Sequence, residues 1–477
     1  MNTPESSAQS LSWEKSFLYV VLAVLYFQLA YAFVKIPVTG LFIIGYAYFL
    51  IQLADQSTVR RAFYFGLAVG LANAVGQAFF FFKIFGLAAI APWSVFGFWI
   101  GLFVAICCGC IRRWGKAKAV WLIPFIWTGM EYFRSELYYL RFSWLNIGYA
   151  FSNFPNAPFK LLGIYGTGFF VVCAVLLFLR ASYLKRFWGR LVVILLALSL
   201  ISASLGRREI PSETLSGGVD FLKIVGIQME FPPESVIPGV LNQALRKNPD
   251  APIFVLSEYT LDGAVPQSLK DWCRQNARYL VVGGKDIVTN EVYYDTAFVI
   301  GTNGEIVFKQ AKCVPIQLFR DGLPATNQAV WNSPWGKIGF CICYDLSYAR
   351  VTDELVRQGA QLLIVPSMDV EEWGKQEHIL HSRVAPVKAS EYHIPIFRVA
   401  SSGISQAVES DGLVVASAGI PARGEIFSAV LLLPAQGMLP FDRFFAQLCV
   451  IVTGIVMSIL LFLTWKEKRS KQKQKTS

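Results

Sequence analysis

The sequence predicts a two-part protein, a polytopic α-helical membrane domain joined to an α/β domain. Three observations predict it. Of 477 residues, 55% are hydrophobic and only 16% charged, with a mean hydropathy of +0.47, which is too apolar for a soluble chain. The hydropathy is also divided: apolar runs fill residues 16–206, a water-soluble stretch covers 207–440, and one more apolar run at 441–465 precedes a basic tail. Within the soluble stretch, three strings supply a Glu, a Lys and a Cys in that order: LSEYT (256–260), FKQAKCVP (308–315) and FCICYDL (340–346). A carboxylate, an ammonium and a thiol held beside a membrane suggest acyl chemistry on a substrate drawn from the lipid.

The membrane part is read first. A spanning helix needs about 20 apolar residues, and the runs that qualify are 16–34, 38–54, 62–82, 86–110, 117–133, 158–180, 190–206 and 441–465. Glu5 and Glu14 precede the first run, so it is expected to stay as a helix rather than to be cleaved as a signal peptide. Eight spans place both termini on one side. The basic loops follow even-numbered spans: Arg60 and Arg61; Arg112, Arg113, Lys116 and Lys118; Lys185, Arg186 and Arg190; and the Lys-rich tail. By the positive-inside rule the tail is cytoplasmic and residues 207–440 lie outside the cytoplasm. The net charge of +11 therefore reflects topology and not nucleic-acid binding. The expected division is an N-terminal membrane domain of about seven helices (1–206), an extracytoplasmic catalytic domain (207–440), a C-terminal transmembrane helix (441–465) and a cytoplasmic tail (466–477). The aromatic-rich loop 134–157 falls on the side of the soluble domain, where such rings sit well at the headgroups.

The soluble stretch alternates strands and helices. Residues 222–229, 252–258, 279–287, 294–301, 337–344 and 362–367 have strand character. The segments PESVIPGVLNQALRK, SLKDWCRQNAR, RVTDELVRQG and KQEHILHSRVAPVKASEY read as helices between them. That alternation implies helices packed on sheet faces.

Cys343 ends an apolar strand and is followed by a helix. A nucleophile at such a turn is exposed, and the next backbone N–H can hold an oxyanion. The neighbouring helix N-terminus favours the thiolate. Cys341, two residues back, is expected on the same sheet face but deeper; two buried core cysteines are the alternative. Glu258 closes its strand, a good place for a general base, although a solvated strand-end carboxylate would look the same. Lys309 and Lys312 differ by three, so in a strand at most one points into the site. A cation there lowers the thiol pKa and stabilises an oxyanion. His378 and His381 are spaced to meet on one helix face, for a metal pair or for a Cys-His dyad. The nine cysteines are scattered and fit neither a disulfide framework nor a zinc site. Asp369, Glu371, Glu372 and Trp373 form an acidic loop that either borders the pocket or is solvated.

Glu, then Lys, then Cys in one α/β domain resembles the nitrilase, or carbon–nitrogen hydrolase, superfamily. With its apolar helices, the whole chain resembles the apolipoprotein N-acyltransferase family, the membrane-embedded branch. The supporting strings are EYFR (131–134), WLNIGY (144–149), IYGTGFFVV (164–172), LSEYT, GEIVFKQAKCVPI, ICYDLSY and RVASSGIS (398–405). The resemblance implies a four-layer α-β-β-α sandwich with Cys343 as nucleophile, Glu258 as general base and a lysine of FKQAK as oxyanion-stabilising residue. It also implies a phospholipid acyl donor, a thioester intermediate, a diacylglyceryl-lipoprotein acceptor, a bacterial inner-membrane location and no metal or soluble cofactor. The family commonly has Lys-x-His-Leu-Val-Pro-Phe-Gly-Glu. Aligning Val314-Pro315 puts Gln310 at the usual lysine and Leu318 at the usual second glutamate. Lys312 lies on the face of Gln310, whereas Lys309 needs a bulge to turn inward, so Lys312 is preferred. Asp321 is a candidate for the missing glutamate, and Asp345 stands where the family often has Glu. Two rival readings stay open: a membrane-tethered amidase, and a catalytically silent binding protein.

Overall fold

The computed structural model describes residues 12–32, 36–154, 157–183, 220–289, 292–420 and 425–476. The expected span at 190–206 and the start of the soluble domain at 207–219 lie outside these residues. The N-terminal part is helical: α1 (Trp13–Ala32), α2 (Phe42–Asp55), α3 (Val59–Gln77), α4 (Phe80–Phe85), α5 (Ile90–Trp114), α6 (Lys116–Ala119), α7 (Ile123–Tyr132) and α8 (Phe159–Tyr183). Among the described residues, five helical stretches are long and apolar enough to cross a membrane: Trp13–Ala32, Val38–Asp55, Phe80–Trp114, Phe159–Leu179 and Asp442–Gln474. The third expected span is α3, which lies along α5 with backbones close together. A Cβ on Gly66 would come within 2.8 Å of Gly101 Cα, and one on Gly70 within 2.7 Å of Gly97 Cα. Small residues that let helices approach are a common means of association in lipid. The fifth expected span is broken. Gly115 (φ +78) ends α5, and Pro124 sits in the first turn of α7, where its missing N–H costs nothing.

The α/β domain holds two six-stranded sheets. The first contains β1 (Asp220–Gln228), β2 (Ile253–Leu256), β3 (Tyr279–Thr289), β4 (Val292–Ile300), β5 (Ile306–Ala311) and β12 (Glu425–Leu433), in the order β12-β1-β2-β3-β4-β5. The second contains β6 (Val330–Ser333), β7 (Gly336–Phe340), β8 (Leu362–Ser367), β9 (Ile396–Ala400), β10 (Ser405–Val408) and β11 (Val414–Ala418), in the order β11-β10-β9-β8-β7-β6. β1, β2 and β3 run parallel, as do β7, β8 and β9. Between the sheets lies an apolar core that includes Ile224, Val255, Val299, Phe340 and Phe397.

Helices α9 (Ile237–Lys247) and α10 (Gln267–Asn276) cover the outer face of the first sheet. On the second sheet the outer layer is α11 (Ala349–Arg357), α12 (Lys375–Ser382) and α13 (Val384–Tyr392). The sequence suggests one helix over 375–392; it is divided at Arg383, with Pro386 in the first turn of α13, where a missing N–H is tolerated. The apolar core under this layer runs on into the membrane helices without a break. The four layers α-β-β-α are thus present, with one outer layer docked on the membrane domain.

Charged groups fix that docking. α14 (Asp442–Thr476) begins with Arg443, which reaches Asp353 of α11 at 2.8 Å, Asp442 at 2.6 Å and Glu391 of α13 at 3.1 Å. Asp442 and Glu391 accept the N–H groups of Tyr165 (2.9 Å) and Ile164 (3.0 Å). These are the first N–H groups after Gly163, whose φ of +67 interrupts α8. Carboxylates at a helix start satisfy otherwise orphaned donors.

Candidate active site

Three loops from the two sheets converge at one end of the inter-sheet core. Glu258 follows β2, Lys312 follows β5 and Cys343 follows β7. Carboxyl ends of parallel strands are where open α/β sheets bind ligands.

Lys312 is fully buried. Its Nζ lies 2.7 Å from Glu258 Oε1, 2.6 Å from Asp321 Oδ2 and 3.4 Å from Asp295 Oδ2. Three carboxyl groups around one ammonium cannot all ionise. Burial and the Glu258 charge push Asp295 well above the usual carboxylate range, which makes it the neutral member. Burial also works against an ionised Glu258, but the Lys312 ammonium and the hydrogen bonds from Asp295 and Lys312 outweigh it and hold Glu258 low. Its second oxygen, Oε2, accepts the Met368 N–H at 2.5 Å. Burial disfavours a charged Lys312, yet Asp321 and Glu258 raise its pKa well above normal.

Cys343 is buried, with φ +51. Burial, then the Glu258 charge, push its thiol well above the ordinary value, and Lys312 pulls the other way. The thiol donates to Met368 O at 3.8 Å and also contacts the Glu258 carboxylate. The resting site therefore holds a thiol and an ammonium on either hand of one carboxylate, Glu258. A positive φ in a non-glycine residue is strained, and such strain collects at functional turns.

That turn also corrects the expectation that Cys341 and Cys343 share a face. β7 stops at Phe340. Cys341 points outward into the core shared with the membrane helices, while Cys343 joins the core between the sheets. The left-handed backbone at Cys343 breaks the alternation of the strand. Asp345 stabilises the same turn. Its carboxylate accepts N–H groups from Ile342 (3.2 Å), Cys313 (3.0 Å) and Val314 (2.7 Å), tying the cysteine loop to the lysine loop. Burial pushes this carboxyl up to about 6, against the pull of the Cys313 N–H and the Lys312 charge.

Lys309 is not brought to the site; it is exposed and pairs with Asp286 at 2.5 Å. Gln310 is buried but turns its amide to Asn327 O (3.1 Å) and the Ala329 N–H (3.1 Å). Asp321 reaches Lys312 and also accepts from the Tyr259 hydroxyl (3.0 Å) and the Ile316 N–H (2.7 Å). Leu318 sits at the mouth of the site, exposed, with φ +65. Asp295 escaped the sequence reading, although its signal was present: an acid inside the otherwise apolar strand YDTAFVIG.

Cys343 lines an apolar pocket with Phe80, Phe81, Ile84, Phe142, Trp144, Leu318, Tyr344, Trp373 and His381. Its walls come from α4, from the loop 134–157 and from the α/β domain. The loop is more than an interfacial aromatic belt, because residues 143–151 are buried. Trp144 Nε1 donates to Ser347 Oγ (2.8 Å), Tyr344 donates to Arg141 O (2.9 Å), and Glu136 accepts the Ala349 N–H (3.2 Å). The membrane loop is thereby clamped to the segment that follows Cys343.

Of the two expected histidine partners, His381 reaches Asp369 Oδ1 through Nδ1 (2.7 Å), while His378 Nδ1 lies 2.9 Å from Glu377 Oε2. The two imidazoles have different nearest carboxylates, although Glu377 also lies 3.6 Å from His381 Nδ1. Asp369 from the acidic loop is buried against Arg398 (2.6 Å), a residue the sequence reading did not single out.

Two family models match the chain. One, described as the apolipoprotein N-acyltransferase N-terminal domain, covers residues 22–177, and the other, carbon-nitrogen hydrolase, covers 196–430. An apolipoprotein N-acyltransferase of Geobacter metallireducens is 22% identical over 428 residues, spanning 76% of this chain and 80% of that protein. A deaminated glutathione amidase of Dictyostelium discoideum is 31% identical over 131 residues, 24% of this chain and 44% of that protein. A carbon-nitrogen hydrolase structure from Helicobacter pylori superposes with a TM-score of 0.39 at 17% identity, over 44% of this chain and 89% of the other.

Proposed function

We propose that this chain, which belongs to the apolipoprotein N-acyltransferase branch of the carbon–nitrogen hydrolase superfamily, carries its acyl group on Cys343. The enzyme is an N-acyltransferase of lipoprotein biosynthesis. The observation that carries the site assignment is that the Glu258–Lys312 pair and Cys343 meet at an apolar pocket lined by aromatic rings. Its apolar, aromatic lining suits an acyl chain better than a small polar amide, which argues against the amidase reading.

The reaction begins with a neutral thiol. Glu258 is held low by Lys312, so it is ionised and takes the Cys343 proton as sulfur attacks the donor carbonyl. Lys312 and the backbone N–H of Tyr344 stabilise the oxyanion. The lysophospholipid leaves, and a fatty-acyl thioester remains on Sγ. The α-amine of a diacylglyceryl-cysteine then attacks the thioester, sulfur departs and an amide forms. The aromatic cavity holds the acyl chain throughout. We further propose that the α/β domain faces the periplasm, supported by the basic loops that follow even-numbered spans. The donor enters between α4 and the loop 134–157 from the outer leaflet.

The test is Cys343→Ala, expected to abolish transfer to a lipoprotein acceptor while the protein remains inserted and folded. Full transfer by that variant would refute the assignment.

A further inference from the structure

We propose that His381 is a second proton-transfer group of this site: it gives a proton to the departing lysophospholipid alkoxide and takes one from the incoming amine. This rests on the acyl-transfer reading above and divides the proton traffic between two groups instead of routing it all through Glu258.

The geometry is specific. His381 is 1% exposed and lines the cavity that Cys343 lines. Its Nδ1 is 2.7 Å from Asp369 Oδ1, while Nε2 is buried with no hydrogen-bond partner among the described residues. Leaving a buried ring nitrogen unpaired is costly, so a reacting group that completes it is the economical explanation. A ring nitrogen of His381, Cys343 Sγ and an Asp369 oxygen all lie within 4.8 Å of one another. The ring plane is fixed by Trp144, stacked at 4.4 Å and 18°, and Trp144 is itself anchored on Ser347. A carboxylate on Nδ1 that leaves Nε2 free for a reacting group is the arrangement that orients an imidazole for proton transfer.

The surrounding charges suit that role. Burial and the Arg398 guanidinium, 2.8 Å from Nδ1, oppose a charged ring, but Asp369 and Glu377 outweigh them, so the His381 pKa is raised. Two carboxylates beside the ring, Asp369 and Glu377, thus favour the form that can donate. Glu258 is already committed, with Oε1 on Lys312 and Oε2 on the Met368 N–H, and in that step it receives the thiol proton.

The atoms balance. In the first step the Sγ–C bond forms and the ester C–O bond breaks; the thiol proton passes to Glu258 and the His381 proton to the alkoxide. In the second step the N–C bond forms and the C–Sγ bond breaks; the amine proton passes to Nε2 and Glu258 returns its proton to sulfur. Both groups finish as they began.

The test uses the full-length protein in phospholipid vesicles and compares two acyl donors, a phospholipid and the p-nitrophenyl ester of the same fatty acid, whose leaving group departs without a proton. Adduct formation at Cys343 is followed by mass spectrometry. His381→Gln is expected to slow acylation by phospholipid about 10²-fold and acylation by the nitrophenyl ester far less. Equal slowing with both donors, or no slowing with phospholipid, overturns the proposal. A wild-type protein that forms no adduct with either donor would instead sink the acyl-transfer reading itself. If His381→Gln does not fold, Asp369→Asn decides by the same comparison, with the same donor dependence expected.

Discussion

Lys312 and Lys309 sit three residues apart, and replacing each by Met separates a buried site cation from a surface one. Lys312 is fully buried among Glu258, Asp321 and Asp295, all within 3.4 Å of Nζ. Removing one partner of a buried ion pair costs about 3–5 kcal/mol, because Glu258 and Asp321 are left buried and uncompensated. Lys309 is exposed and pairs with Asp286, an interaction worth about 0.2–1 kcal/mol. Catalysis should separate further, since loss of a preorganised oxyanion donor costs roughly 10²–10³ in rate. The pH dependence has a definite sign. Glu258 in the native site is held below its unfolded value, so its stabilisation is present above the ordinary carboxylate range and is lost as pH falls through the lower, folded value. Without the Lys312 charge, the largest effect opposing burial is lost and Glu258 rises, so the acid limb of the activity profile moves to higher pH. The assay is thermal unfolding and acyl transfer across pH for wild type, Lys312→Met and Lys309→Met in one lipid system. Equal losses in the two variants, or an unshifted acid limb in Lys312→Met, would refute the reasoning.

Asp345→Asn should cost about 1–3 kcal/mol per N–H left unsatisfied and lower activity by loosening both the lysine and the cysteine loops; unfolding and transfer assays check this. Because the folded Asp345 pKa, about 6, is raised, its contribution falls as pH rises from about 4 toward 6 and is flat above, and the Asn variant should lose that slope. Gly163→Val should destabilise the junction between the membrane helices and the α/β domain by about 1–3 kcal/mol. Its Cβ would lie 2.1 Å from the Asp442 carboxylate at a φ of +67. A lower unfolding midpoint, with Cys343 labelling otherwise unchanged below it, is the expected result.

How much of this was visible in the sequence depends on the residue. The order Glu258, Lys312, Cys343 came from strings at strand ends, and strand ends can be read because apolar runs stop there. The burial of Lys312 and exposure of Lys309 follow from period two alone. Cys341 and Cys343 show where period two fails: one left-handed residue reverses the facing of the chain, and no composition signal announces it. Asp295 was passed over because a single acid in an apolar strand looks like a flaw until its neighbours are known. The loop 134–157 read as an interfacial belt because its aromatics carry no mark of what they touch; only the fold brings Trp144 onto His381 and Ser347. Arg398 lies inside a string quoted for its resemblance, yet its pairing with Asp369 joins residues far apart in the chain.

The assignment of Cys343 as the acyl carrier is tested most directly by intact-protein mass spectrometry after incubation with phospholipid and no acceptor. The expected result is a single fatty-acyl mass, mapped to Cys343, released by hydroxylamine and absent from Cys343→Ala. A wild-type protein that transfers acyl chains to a lipoprotein yet carries no adduct at Cys343 would contradict it.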